Sequence, residues 1–380
     1  MEKGGNTGHL ELIRRINRSL ILSTVKERQP VSRAQIARLL GLSKTTVSTI
    51  VDELVEKKLI VEYEKSSAGG VGRPSIMLGF NPKSAYCIGV DIASADIHLL
   101  ITDLDGNVDY EWSGPTKSDV DEVIGMIGKA IEAGGLEDKD IFAMGVGVPG
   151  IVADKDRVVS AKSLGWSNLA LGSRLSSYFH FPVFVGNGVN LAALGERWLG
   201  SGGQVDDMLF VRIGTGLGSA LICGGQLICG ANGSAGEIGF FLDSRDVELG
   251  EFNHTGRQGV LERKCSGAAL SRGGRSAEEL FAACGHGEPQ AEGESSYFIR
   301  ELSVALANSI SLLNPARVVI GGSVAESMGT VIGRLQDEVA RLTPIRADIC
   351  LASLGARAGA LGAIDFAVTQ IEQQDIRVQG

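Results

Sequence analysis

The sequence predicts a winged helix-turn-helix ahead of a larger α/β body. Three observations carry that expectation: an abrupt split in charge, an unbroken apolar stripe on a short helix, and a strand–glycine–strand–turn unit that occurs twice. With 380 residues the chain is long enough for two or three domains at one per ~100–200 residues. Its net charge is −9, yet residues 1–80 hold 13 Lys+Arg against 8 Asp+Glu, leaving 23 against 37 in residues 81–380. The first eighty residues are thus +5 and the remainder −14, as for a nucleic-acid module joined to an acidic globular body. A solvated basic face would leave the same charge balance, so the motifs have to decide. A hydrophobic fraction of 44% with 52 glycines excludes a disordered chain and indicates a cored, turn-rich one. No run of about 18 apolar residues occurs and the N-terminus has no apolar signal core, so a soluble cytoplasmic protein without membrane association is expected. The six cysteines are scattered with no C-x-x-C pair, and most are expected to be reduced core residues.

Leu10, Ile13, Ile16, Leu20 and Ile21 recur at helical spacing, which predicts an amphipathic helix ending near Gln29-Pro30. Ser32-Arg-Ala-Gln35 has the form of a capping box, placing Ile36, Leu39 and Leu40 on the inner face of a second helix. Gly41-Leu42 makes the turn and Ser43 caps a third helix. The apolar stripe of that helix, Val47, Ile50, Val51, Leu54 and Val55, fits i, i+3, i+4, i+7, i+8. Once the stripe is buried, Lys44, Thr45, Thr46, Ser48 and Thr49 face outward at the helix start, where a recognition helix meets base edges and phosphates. Residues 59–62 and 75–80 read as two strands of a wing around the loop 66–74, in which Arg73 is the side chain able to enter a minor groove or bind backbone. The candidate DNA-binding set is therefore Ser43, Lys44, Thr45, Thr46, Ser48, Thr49 and Arg73, within a domain spanning residues 1–80.

In residues 81–380, segments 86–91 and 97–104 read as paired strands closed by the turn Asp105-Gly-Asn107. The same order returns at 211–218 and 219–223 with the turn Gly224-Gly225, which suggests two similar lobes. Helices are expected at 119–133, 190–199, 303–313 and 328–342, and strands at 141–148 and 317–320, giving an α/β class. Gly214-Thr-Gly-Leu-Gly218 either lets backbone amides approach a phosphate or serves only to make a turn.

Several ordered motifs carry a resemblance. Gly147-Val-Pro-Gly150, Gly186-Asn187, Asn190-Leu-Ala-Ala-Leu-Gly-Glu196, Gly214-Thr-Gly-Leu-Gly218, Gly230-Ala-Asn-Gly-Ser-Ala-Gly-Glu-Ile-Gly239 and Val319-Ile-Gly-Gly-Ser-Val-Ala325 together resemble the ROK family. That family joins bacterial sugar kinases to sugar-responsive transcription factors, and the resemblance runs from Ile13 to about Ala367. It implies a two-lobed, actin-like fold of the sugar-kinase/Hsp70-type ATPase kind, with a ligand cleft between the lobes; members with an N-terminal winged helix are usually regulators.

The departures from the family pattern bear on mechanism. Family kinases carry an aspartate base where this chain has Gly188, and glycine has no ionisable group. General-base help worth roughly 10²- to 10⁴-fold is thereby absent. The family's first phosphate loop, Asp-x-Gly-Gly-Thr, is here Asp91-Ile-Ala-Ser-Ala95, whose added side chains would crowd a phosphate. At the four positions that hold zinc in many members stand Phe240, Asn253, Thr255 and Val260, none a good zinc ligand. No metal and no cofactor are expected, and the loop near 240–262 is expected to be held by packing of Phe240, Phe241 and Phe252. Asn187, Glu237 and Glu262 match family positions that bind sugar hydroxyls, so a sugar or polyol effector is expected there; the alternative is that Glu237 only satisfies a helix end or loop and that sugar binding is lost with the acid at 188 and the imidazole at 240. Trp166 is either an apolar wall for a pyranose or a core residue.

The function these readings imply is a DNA-binding transcription regulator without kinase activity. It would repress carbohydrate uptake or catabolic genes and respond to a sugar or polyol in the interlobe cleft, bound to double-stranded operator DNA as a homodimer, with a tetramer as the alternative. The competing readings are an ATP-dependent sugar kinase with an accessory DNA-binding domain, and a constitutive DNA-binding protein whose body only oligomerises.

Overall fold

A computed structural model describes residues 5–64, 76–254 and 257–377. The head is built from α1 (Gly5–Arg28), α2 (Arg33–Leu40), α3 (Lys44–Glu56) and the antiparallel pair β1 (Ile60–Glu64) and β2 (Ile76–Phe80). Ser32 closes the capping box on α2: its hydroxyl accepts from the Gln35 amide while Gln35 Oε1 accepts from the Ser32 amide at 2.9 Å. Gly41, at φ +65°, ends the helix in the left-handed region that favours glycine. The α3 stripe packs on Ile21, Val25, Ile36, Ile60 and Leu78.

The helix expected to end near Gln29-Pro30 is α1, which stops at Arg28, but its apolar stripe is only partly used, and one expectation for α2 fails. Ile13, Ile16 and Leu20 are exposed, because the head uses only the later turns of α1, through Ile21 and Val25. Leu39 also points outward, and Ala37 takes its place beside Ile36. The side chain of Leu10, together with Arg73, Ser75 and the loop 66–74, lies outside the described residues.

The body holds two five-stranded sheets. The first contains β3 (Tyr86–Ile92), β4 (Asp96–Asp103), β5 (Val108–Pro115), β6 (Ile141–Val148) and, later in the chain, β10 (Val183–Asn187), in spatial order β10-β6-β3-β4-β5. The second contains β11 (Met208–Ile213), β12 (Leu217–Cys223), β13 (Gln226–Ile228), β14 (Arg317–Gly321) and β15 (Asp348–Leu351), in order β13-β12-β11-β14-β15. Each is a meander of three antiparallel strands extended by two parallel ones, so the repeated sequence unit corresponds to a repeated sheet. A small sheet of β7 (Ile151–Ala153), β8 (Arg157–Ala161) and β9 (Trp166–Ala170) is inserted in the first lobe.

The expected helix at 119–133 is α4 (Val120–Ala133), capped by Asp119. A short α5 (Leu171–Tyr178) precedes α6 (Gly188–Leu199), the expected helix at 190–199. The helix expected at 303–313 begins much earlier, at Pro289, and the one expected at 328–342 divides into a 3-10 turn and the helix Ile332–Leu342. Helix Ala358–Arg377 packs on α6 at the junction of the lobes. That packing requires glycine: a Cβ on Gly362 would stand 1.6 Å from the Leu191 carbonyl oxygen. Beside it the fully buried Glu196 carboxylate accepts from the amides of Ser201, Ser353 and Leu354 at 2.8–3.2 Å and ties α6 to the segment after β15. Of the cysteines, Cys87, Cys265 and Cys284 are buried, Cys229 is exposed, and all are free thiols. Among the described residues no helix is long and apolar enough to cross a membrane.

Candidate functional site

Two surfaces carry the residues singled out above. On the head, Lys44, Thr45 and Thr49 are exposed and Thr46 and Ser48 half-buried at the start of α3. Ser43 Oγ accepts from the Thr46 amide at 3.1 Å and lies 2.8 Å from Thr46 Oγ1. These two hydroxyls therefore build the helix start, while Lys44, Thr45 and Thr49 remain uncommitted. Arg33, at the start of α2, is drawn into ion pairs with Asp52 at 2.6 Å and with Glu62. The head is tied to the body by Lys26, whose ammonium donates to the Leu104 carbonyl at 3.2 Å and pairs with Asp105 at 2.9 Å, in the turn after β4.

The second surface is a cavity of about 600 Å³ between the two sheets, lined from both lobes by Asp91, Asn187, Gly188, Arg212, Glu237 and Glu262 among others. The structure thus brings the three predicted effector residues to one cavity, but in different states. Asn187 caps α6: Oδ1 accepts from the Val189 and Asn190 amides at 2.8 and 3.0 Å, and Nδ2 donates to the Gly150 carbonyl at 2.6 Å. Glu262 accepts from the Leu217 and Gly259 amides, both at 3.3 Å. A Cβ on Gly216 would come within 2.6 Å of its Oε1, so this glycine of the loop makes room for the Glu262 carboxylate. Glu237, by contrast, has no side-chain partner among the described residues and does not cap the turn that follows it. Its carboxyl is pushed above the ordinary range by partial desolvation first and by the neighbouring Glu262 charge second. Trp166 is a core residue whose Nε1 donates to the Ser118 carbonyl at 2.7 Å.

In the same cavity, the space left by Gly188 is bordered by an ion pair that crosses between the lobes. Arg212 of β11 reaches Asp91 of β3 at 3.6 Å. A Cβ on residue 188 would lie 3.1 Å from Asp91 Oδ1 and 3.7 Å from Arg212 NH1. Burial pushes the Asp91 carboxyl up, against the lowering influence of Arg212. The sequence signal for Arg212 is that it is the charged residue in the otherwise apolar strand Met208–Ile213.

The loop at 240–262 corrects one expectation. Phe240, Phe241 and Phe252 are all exposed and do not hold it. Asn253 does: its Nδ2 donates to the Phe240 carbonyl at 2.6 Å and its Oδ1 accepts from the Val260 amide at 2.9 Å. A single amide thus joins three of the four positions at which family members bind zinc, and these side chains do not fit the metal; Thr255 lies outside the described residues.

A helix-turn-helix head whose third helix turns a polar face outward, joined to a two-lobed actin-like body, is the architecture of a DNA-binding transcription regulator. The chain belongs to the ROK family, whose model matches residues 87–370, and a MarR family model matches residues 15–70. It is 29% identical to the xylose repressor of Caldicellulosiruptor bescii over 346 residues, 84% of this chain and 86% of that one. Among solved structures, a ROK family transcriptional regulator described as a homologue of the E. coli MLC protein superposes with a TM-score of 0.81 at 23% identity, over 96% of this chain and 99% of that one. The ROK family glucokinase of Streptomyces griseus, in complex with glucose and AMPPNP, gives 0.64 at 28% identity over 75% of this chain and 100% of that one.

Proposed function

We propose that this chain represses carbohydrate uptake or catabolic genes in the cytoplasm, acting as a homodimer on operator DNA and releasing it when a sugar or polyol enters the interlobe cleft. Residues 1–80 are the reading head and residues 81–380 the effector-binding and oligomerisation body. The observation that carries this reading is the contrast within the cavity: Glu237 stands free to accept sugar hydroxyls, while the Arg212–Asp91 pair borders the place of the missing base at Gly188. Two half-sites about one helical turn apart suit a dimer, since one recognition helix supplies few contacts. Ligand-dependent movement of the lobes reaches the head through Lys26 and the Leu104–Asp105 turn. The repressor naming of its relatives supports the same direction.

The test is a gel shift with DNA from upstream of the gene, with and without a panel of sugars and polyols. Retardation relieved by at least one sugar is expected; a complex indifferent to the whole panel would leave only a constitutive DNA-binding protein. A coupled ATP phosphorylation assay on the same panel is expected to stay at background, and turnover above it would restore the kinase reading.

A further inference from the structure

The cavity is lined by five carboxylates, Asp91, Asp96, Glu237, Glu262 and Glu326, and among the described residues by one arginine and no lysine. That arginine, Arg212, faces the buried Asp91. Asp96 lies 3.4 Å from His98, while Glu237, Glu262 and Glu326 have no ion-pair partner among the described residues. Two further anion-holding devices in this wall are taken by the protein's own groups. The N-terminal amides of α6, a natural anion site, go to Asn187 Oδ1. In the glycine loop the Gly214 amide goes to the Gly216 carbonyl at 2.9 Å and the Leu217 amide to Glu262. The arginine, the first amides of α6 and these two loop amides each answer to a group of the protein itself.

Resting on the sugar-sensing reading above, we propose that the cleft takes an uncharged sugar and rejects the same sugar carrying a terminal phosphate. A phosphate monoester brings about −1.5 to −2 charges at neutral pH into a wall that is already acidic. At Arg212 it competes with Asp91 for the guanidinium and weakens the counter-charge of a buried carboxylate. Hydroxyls meet no such obstacle, since Glu237 and the cavity's amide and hydroxyl side chains need only exchange hydrogen bonds with water for hydrogen bonds with the sugar.

The test uses calorimetry on the full chain with matched pairs: glucose, xylose and N-acetylglucosamine, each beside its 6-, 5- or 6-phosphate. In every pair that binds, the phosphate is expected to be at least roughly tenfold weaker, with the gap widening as ionic strength falls. A phosphate that binds as tightly as its parent, or more tightly, overturns this proposal while leaving the sugar-sensing reading intact. Binding of neither member of any pair overturns the sugar-sensing reading and this proposal with it. Two variants locate the cause, with operator binding as the control for folding. Glu237→Gln removes a charge and Asn187→Ala releases the α6 amides, so each is expected to move the phosphate-to-parent affinity ratio severalfold toward the phosphate. Ratios unmoved in both variants assign the discrimination elsewhere and overturn the argument.

Discussion

The reading face of the head and the cleft of the body were both marked by polar residues, yet those residues fare differently once the chain is folded. On α3, Lys44, Thr45 and Thr49 are exposed with no partner among the described residues. In the cleft, Asn187 and Glu262 already accept backbone amides, and only Glu237 of the three is uncommitted. A helix face exposes its polar side by geometry alone, whereas the wall of a cleft is made of loops whose backbone groups must be satisfied, and nearby side chains are recruited to do it. Polar residue type therefore marks an available surface more directly on the helix than in the cleft.

Glu262→Ala offers the strongest challenge to that contrast, because it strands two amides in the loop wall. It is expected to destabilise the protein by about 2 kcal/mol, read as a lower denaturant midpoint with an unchanged slope; unchanged stability with lost sugar binding would make Glu262 a ligand residue instead. Glu237→Ala should do the reverse, weakening effector affinity about 10- to 100-fold without lowering the denaturation midpoint. On the head, Lys44→Ala is expected to weaken operator binding about tenfold and to reduce the salt slope by about 0.9, again without a change in stability. Ser43→Ala, by contrast, removes a cap and should cost the head about 1 kcal/mol, so its operator defect should diminish as temperature is lowered.

The smallest effect concerns pH. Because the folded-state pKa of Glu237 is raised, the native state holds that proton more tightly than the unfolded chain. The stabilisation from protonation is present at low pH and is lost as pH rises through the raised value. Glu237→Gln should therefore be slightly more stable than the wild type near neutral pH, with the advantage vanishing at acid pH. An advantage that instead grew on acidification would place a hidden cation beside Glu237.

Much of this architecture was legible because it is local. The capping box at Ser32, the Ser43 cap and the α3 stripe are short-range patterns, and each is found where the spacing placed it. The repeated strand unit marked two lobes because both begin with the same meander. Ile13, Ile16, Leu20 and Leu39 were misplaced because periodicity reports that a helix has an apolar face, without saying which turns meet a neighbour. Arg212 and Asp91 are more than a hundred residues apart in sequence and pair only because their strands border one cleft. Asn253 gave no signal as a staple, since its two partners flank it at distances of 13 and 7 residues.

The residues alone determined the basic head, its helix-turn-helix, the doubled α/β body and the absence of an acid at position 188, since each depends on composition or on neighbours a few positions away. Tertiary structure alone decided that Glu262 and Asn187 serve the backbone, that Glu237 stays free, and that Arg212 faces Asp91 across the cleft. A side chain's hydrogen-bonding capacity is finite, and which groups claim it is settled only when distant segments meet.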